Sequence, residues 1–186
     1  MRHRRASRRV TTSASSTVAE LGVRLFPYDP MWPLMFEAEA ERIEAACAGL
    51  AIRLEHIGST SVPGLSAKPV IDILAGRPPR SRPAPYIAAI RQLGYEHKGA
   101  NGVPGREYFR RGSPRSHHVH LVSWSSTMWE EHLLFRELLR SNPAVARDYD
   151  AVKRDLAIAY ANDRRAYTDG KGPFIRAAIR EMRRTS

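Results

Sequence analysis

The chain has a single cysteine, Cys47, in 186 residues. One thiol excludes an intramolecular disulfide framework and a cysteine-only zinc site, and it favours a reducing compartment. Cys47 is therefore expected in the core. Long apolar runs are also missing. None approaches the roughly 20 residues needed to cross a bilayer, and the N-terminal arginines are not followed by the apolar stretch of a secretory signal. The sequence predicts a cytoplasmic protein with no membrane partner. Acidic residues are few, 19 against 30 basic ones, for a formal net charge of +11. Five of those charges come from Arg2, Arg4, Arg5, Arg8 and Arg9. Lysine is scarce too, being greatly outnumbered by arginine. A basic surplus favours acidic partners such as nucleotides, RNA or phosphorylated metabolites. No nucleic-acid-binding module is recognisable, so nucleic acid is not expected as a specific partner. Residues 1–20, rich in Arg, Ser and Thr, are expected to form a disordered basic tail. That leaves 21–186 as one domain, with 42% hydrophobic residues in the whole chain to build its core.

What is present is an alternation of strand-like and helix-like segments. Val23 to Phe26 reads as an edge strand or docking segment, and Asp29-Pro30 as a helix start. Phe36, Ala40, Ile43, Cys47 and Leu50 recur at helical spacing. Strands are expected at Ile52 to Ile57, Val70 to Ala75, Tyr95 to Lys98, Glu107 to Arg111 and His117 to Trp124. The last two are joined by a Gly112 to Arg115 hairpin loop, and a short helix spans Tyr86 to Leu93. Everything after Trp124 reads as helix. Asn142-Pro143 starts one helix whose apolar stripe is Val145, Tyr149, Val152, Leu156 and Tyr160, and another begins near Lys171.

The densest signal is residues 56 to 72, His-Ile-Gly-Ser-Thr-Ser-Val-Pro-Gly-Leu-Ser-Ala-Lys-Pro-Val-Ile-Asp. Gly58-Ser59-Thr60-Ser61 follows a strand, where backbone N–H groups and hydroxyls suit a phosphate. A plain capping turn is the competing reading. Asp72 sits in an otherwise apolar strand, where an ionised carboxylate needs a cation, a metal or several donors. It either serves a metal or catalytic role or fixes the preceding loop. Lys68 can neutralise Asp72 or a bound phosphate. His118 and His120, two apart on one strand, point the same way with Cα atoms about 7 Å apart. They can share one ligand or ion, or simply be satisfied in the core. His117 faces the opposite way, and His56 stands just before the turn.

The 56–72 segment is similar to the hallmark of the GrpB family. Tyr28-Asp29-Pro30-Met31-Trp32-Pro33 with Phe36, Leu93-Gly94-Tyr95, His118-Val119-His120, Phe135-Arg136 with Leu139-Arg140, and Ala166-Tyr167-Thr168 with Lys171 and Phe174 resemble its other motifs. The resemblance spans roughly residues 20 to 182. It implies an α+β, nucleotidyltransferase-like fold of the DNA polymerase β-like superfamily. Such a fold has a short mixed β-sheet flanked by helices, here with an added helical C-terminal region. In that superfamily a Gly-Ser pair follows one strand and the next strand presents acids for divalent metal. Gly58-Ser59 and Asp72 occupy those places. Two residues on, where a second acid is usual, this chain has Leu74, and histidines replace a third acid on the later strand. One aspartate with histidines is a poor magnesium cage, so ordinary two-metal chemistry is not expected.

The function expected from this resemblance is binding of a nucleotide or phosphorylated small molecule, with metal-assisted nucleotidyl transfer as the candidate reaction. His56, Gly58, Ser59, Thr60, Ser61, Lys68 and Lys171 would bind the ligand. Asp72, His118 and His120 would be catalytic and hold one divalent ion, Mg, Mn or Zn. Family members also occur fused to dephospho-coenzyme A kinase. The alternative is therefore a non-catalytic, chaperone-like module that regulates a partner enzyme.

Overall fold

The computed structural model describes residues 22–185, and the expected basic tail at 1–20 lies outside them. Helix α1 (Met31–Ala46) starts where Asp29 accepts the Met31 N–H at 2.9 Å. Strand β1 (Arg53–Ile57) follows, then a single 3₁₀ turn (Ser59–Ser61) and strand β2 (Ile71–Arg77). Helix α2 (Ala84–Gln92) leads to β3 (Glu96–His97), β4 (Glu107–Arg111) and β5 (His117–Ser123). The C-terminal part is helical, as expected: α3 (Thr127–Ser141), α4 (Pro143–Ala159), α5 (Arg164–Gly170) and α6 (Gly172–Thr185). Side chains of Ser126, Asn142 and Asp163 cap α3, α4 and α5 by accepting N–H groups of their first turns. The separate helix α5 was not foreseen. Val23 to Phe26 makes one bridge, Phe26 to Ala67, and no strand.

The sheet order is β1-β2-β5-β4-β3, with β2 and β5 parallel and the other pairs antiparallel. The fold is thus α+β with a mixed sheet. Strand β2 lies between β1 and β5 with helices on both sides, which accounts for its apolar run. One face carries Ile71, Ile73, Ala75, Val119, Leu121 and Phe109 against α1 and α2, and Cys47 is buried there. Leu74, Val122 and Ile57 on the other face meet Trp129 of α3. Gly76 makes that approach fit, since a Cβ there would stand 2.6 Å from the Trp129 ring. A third cluster, Val62, Leu65, Leu139 and Tyr149, seats the segment after the turn against α3 and α4.

The α4 stripe differs from expectation at its C-terminal end and in what fills its middle. Tyr149 is buried, but Tyr160 is 41% exposed. The most deeply buried side chain of the helix is Lys153, at 0% exposure. Its ammonium donates to the Ser66 carbonyl and lies 3.1 Å from Asp150 Oδ1. A lysine tolerates this only because both polar partners are supplied.

Candidate functional site

Asp72 pairs in register with His118, and Leu74 with His120, across the parallel β2–β5 ladder. Residues in register share a face, as do residues two apart, so all three polar side chains project to the α3 side. His118 Nδ1 is 2.9 Å from Asp72 Oδ1, and His120 Nε2 is 3.6 Å from the same oxygen. Burial alone would raise the Asp72 pKa. The hydrogen bond from His118 and the contact with His120 outweigh it and hold the carboxyl well below the usual range. An ionised carboxylate only accepts, so the network assigns the His118 proton to Nδ1 and leaves a lone pair on Nε2. That nitrogen is buried without a hydrogen-bond partner among the described residues.

His120 is oriented from its other side. Arg106 places a guanidinium nitrogen 3.4 Å from His120 Nδ1, and since arginine cannot accept, Nδ1 is the acceptor and Nε2–H faces Asp72. Burial lowers the His120 pKa in spite of Asp72. Tyr108 packs on both imidazoles, with ring centroids 5.4 Å from His118 and 5.2 Å from His120. Burial and the Asp72 charge push its phenol up to about 12. His132 of α3 adds a further ring, 6.0 Å from His120, and burial pulls its pKa down to about 4. Sequence reading missed Arg106, Tyr108 and His132. Only the sheet register and the docking of α3 bring them here.

These donors do not fit a divalent ion well. His118 and His120 both direct N–H groups at Asp72 Oδ1, and the remaining nitrogen of His120 is occupied by Arg106. Among the described residues no group of three or more His, Cys, Asp or Glu is arranged to hold a metal.

The turn before β2 sits directly on the carboxylate. Gly58 has φ +74° and ψ −175°, and a Cβ there would lie 2.7 Å from Asp72 Oδ2. The three hydroxyls that follow diverge. Thr60 is buried, with Oγ1 3.0 Å from His56 Nε2 and 3.4 Å from the Val70 carbonyl. Ser61 donates to the Gly58 carbonyl at 2.7 Å, and its own carbonyl accepts two N–H groups of Arg140, at 3.0 and 2.8 Å. Ser59 turns instead to α4, where its side chain meets the Tyr149 hydroxyl. His56 stacks on Phe36 of α1 at 4.8 Å, its pKa lowered to about 4 by burial. The structure therefore gathers Gly58, Asp72, His118 and His120, while Ser59 meets Tyr149, His56 and Thr60 engage one another, and Ser61 is held by Gly58 and Arg140. His56 and Ser61 also line a cleft of about 580 Å³ between the 61–65 segment, α3 and α4. Asp72, His118, Lys68 and Lys171 do not line it.

Lys68 and Lys171 both pack on one aromatic ring. Each ammonium is 4.9 Å from the centroid of buried Tyr167 on α5. Neither pairs with a carboxylate among the described residues. Burial, then the neighbouring Lys171 charge, lowers Lys68 to about 8, against an opposing pull from Asp72. Burial likewise lowers Lys171. The chain has only four lysines, and Lys153 is close enough to feel the charge of Lys171. Three of the four thus converge where the hallmark segment meets α4 and α5. That convergence was not read from the sequence.

Residues 22–181 match the family profile described as "GrpB protein". A UPF0157 protein from Pseudomonas aeruginosa is 44% identical over 158 residues, covering 82% of this chain and 64% of the relative. A protein of Mycolicibacterium paratuberculosis named dephospho-CoA kinase is 30% identical over 201 residues, covering 87% of this chain and 46% of that protein. The chain thus spans about half to two thirds of the length of these relatives. The crystal structure of GrpB from Enterococcus faecalis superposes with a TM-score of 0.75 at 34% identity, covering 86% of this chain and 99% of that one.

Proposed function

The chain belongs to the GrpB family, and from that premise we propose that it binds a nucleotide or related phosphorylated small molecule in the recess between Gly58-Ser59, Asp72 and the Lys68–Lys171 pair. The observation that carries this reading is that the Lys68 and Lys171 ammonium groups both pack on Tyr167 with no carboxylate ion pair among the described residues, within range of the Asp72 charge that His118 binds. Two adjacent cations repel one another, and a phosphate dianion relieves the repulsion while accepting their N–H groups. The Ser59 hydroxyl and the backbone of the turn add donors.

The reaction such a site serves is nucleotidyl transfer. An acceptor hydroxyl would give its proton to His118 Nε2 as its oxygen bonds to phosphorus. The bond to the leaving phosphate oxygen breaks with its electron pair, and Asp72 stabilises the imidazolium through Nδ1–H. His120, Arg106 and Tyr108 hold this pair in place.

Inorganic phosphate in isothermal titration calorimetry tests the binding claim. Lys68→Gln should weaken phosphate about 10-fold or more, the loss of a charge-assisted contact. The pH profile follows from the lowered Lys68 pKa of about 8. Below it the amine is cationic and binds, and above it the cation is lost. Phosphate is already a dianion above about pH 7, so affinity should fall as pH rises from 8 to 9.5. Flat affinity across that interval would remove Lys68 from the site. For catalysis, His118→Gln and Asp72→Asn should each abolish nucleotide turnover while leaving phosphate binding within a few-fold. Assays with EDTA, Mg, Mn or Zn decide whether turnover requires an ion.

The kinase relative supports a second reading, a binding module that regulates a joined or partner enzyme. Phosphate binding without turnover of any nucleotide, together with a change in kinase activity on mixing, would favour it.

A further inference from the structure

Arg164, the first residue of α5, was not singled out by any motif. Its Nε is buried without a hydrogen-bond partner, and its guanidinium makes no ion pair among the described residues. Buried guanidinium N–H groups are rarely left unpaired, because the cost of desolvating them is not recovered. Its position is informative. Tyr167, three residues on along α5, carries the Lys68 and Lys171 ammonium groups on its ring, and the Arg164 charge is close enough to Lys68 to disfavour its protonation. Lys68 thus has three cations around it, Lys171, Arg164 and Arg115, against one carboxylate, Asp72, an excess of positive charge to which the hallmark segment and α5 both contribute.

A single phosphate dianion engages the lysine pair and leaves the guanidinium unused. A pyrophosphate unit carries a second phosphoryl group one bridging oxygen away, and a planar guanidinium suits it as a bidentate partner. We propose that Arg164 is the subsite for the second phosphate, so that the site selects ligands containing a pyrophosphate unit over monophosphates. This rests on the phosphate-binding reading of the Lys68–Lys171 recess and deepens it. The added content is a specificity-determining residue contributed by the C-terminal helices rather than by the hallmark segment.

The test compares inorganic phosphate with inorganic pyrophosphate by calorimetry on the full chain in EDTA. Wild type should bind pyrophosphate at least about tenfold more tightly, a difference of the size charge-assisted contacts supply. Arg164→Gln should reduce that preference to about twofold, its loss falling mainly on pyrophosphate and much less on phosphate. Arg165→Gln is the control, since its side chain is 93% exposed and points to Asp169 at 3.6 Å. It should retain the wild-type preference. A wild type without preference, or an Arg164→Gln variant that keeps it, overturns the assignment. If phosphate binds and requires Lys68 yet pyrophosphate gains nothing, only the Arg164 subsite fails. If neither anion binds, the phosphate-binding reading fails with it. Matching circular-dichroism melts for the two variants separate a lost subsite from a lost fold.

Discussion

Replacing Gly58 with alanine is expected to destabilise the protein by about 3 kcal/mol and to separate Asp72 from His118. Two costs add. The backbone at φ +74°, ψ −175° lies in a region that only glycine occupies without strain, worth about 1–3 kcal/mol for any other residue. The new methyl would also stand 2.7 Å from Asp72 Oδ2, 3.2 Å from its Cβ and 3.3 Å from its carboxyl carbon. The carboxylate is the part that can move, and moving it breaks the 2.9 Å bond to His118. Gly64→Ala is the matched comparison. Its φ is +79°, but nothing lies within 4 Å of the added Cβ, so it should cost only the left-handed penalty of about 1–2 kcal/mol. Urea unfolding gives both numbers. Equal losses for the two variants would mean that the turn does not press on Asp72, and the account of the site as a turn seated on a carboxylate would fall.

The chemistry along one strand or one turn was legible in the sequence. Alternation placed His118 and His120 on one face, and a carboxylate inside an apolar run marked Asp72 as needing partners. Those partners turned out to be the same two histidines, because β2 and β5 are parallel neighbours in register. What could not be read is everything that depends on how helices dock. His132, Arg164 and Tyr167 lie on α3 and α5, and nothing in their local pattern points inward. Run-length reasoning also treated 59–61 as a uniform phosphate cradle. A 3₁₀ turn distributes its three side chains in three directions, so Thr60 went to His56 and Ser61 to the Gly58 carbonyl. The α4 stripe misled for a related reason. Periodicity assigns faces by hydrophobicity, and Lys153 is polar at its tip with a long apolar stem, so it was counted outside the core it fills.

That buried lysine carries the second large effect. Asp150 Oδ1 accepts the Ser66 N–H at 3.1 Å and the Ser66 hydroxyl at 2.5 Å, and pairs with Lys153 at 3.1 Å. One α4 carboxylate thereby ties the hallmark segment to the helix two residues before Lys68. Removing it by Asp150→Ala leaves an ammonium at 0% exposure with the Ser66 carbonyl and the Tyr149 ring but no counter-charge, and breaking a buried pair from one side costs about 3–5 kcal/mol. Lys153→Met keeps the volume and removes the charge. Its remaining partner, Asp150, is 19% exposed and still bonded to Arg154 at 2.8 Å, so this variant should lose only about 1–2 kcal/mol, the cost of unmet hydrogen bonds. The order of the two losses is the discriminating result.

Proton linkage sharpens it. Burial already lowers Lys153 to about 8, with Asp150 opposing the shift, so the aspartate's removal lowers it further. A lysine whose folded pKa is depressed binds fewer protons folded than unfolded, and stability then rises with pH from that folded value up to the unfolded one. The variant begins this gain below pH 8, whereas the parent begins it near 8. The deficit of Asp150→Ala should therefore shrink between pH 6 and pH 8 and level off above. A deficit that is constant with pH, or smaller than that of Lys153→Met, would mean that Asp150 does not support a buried charge. The loop that carries Lys68 would then owe its position to the Phe26–Ala67 bridge and the apolar contacts of Val62 and Leu65, and phosphate affinity in Asp150→Ala should match the parent. With the tie as described, that affinity falls together with stability.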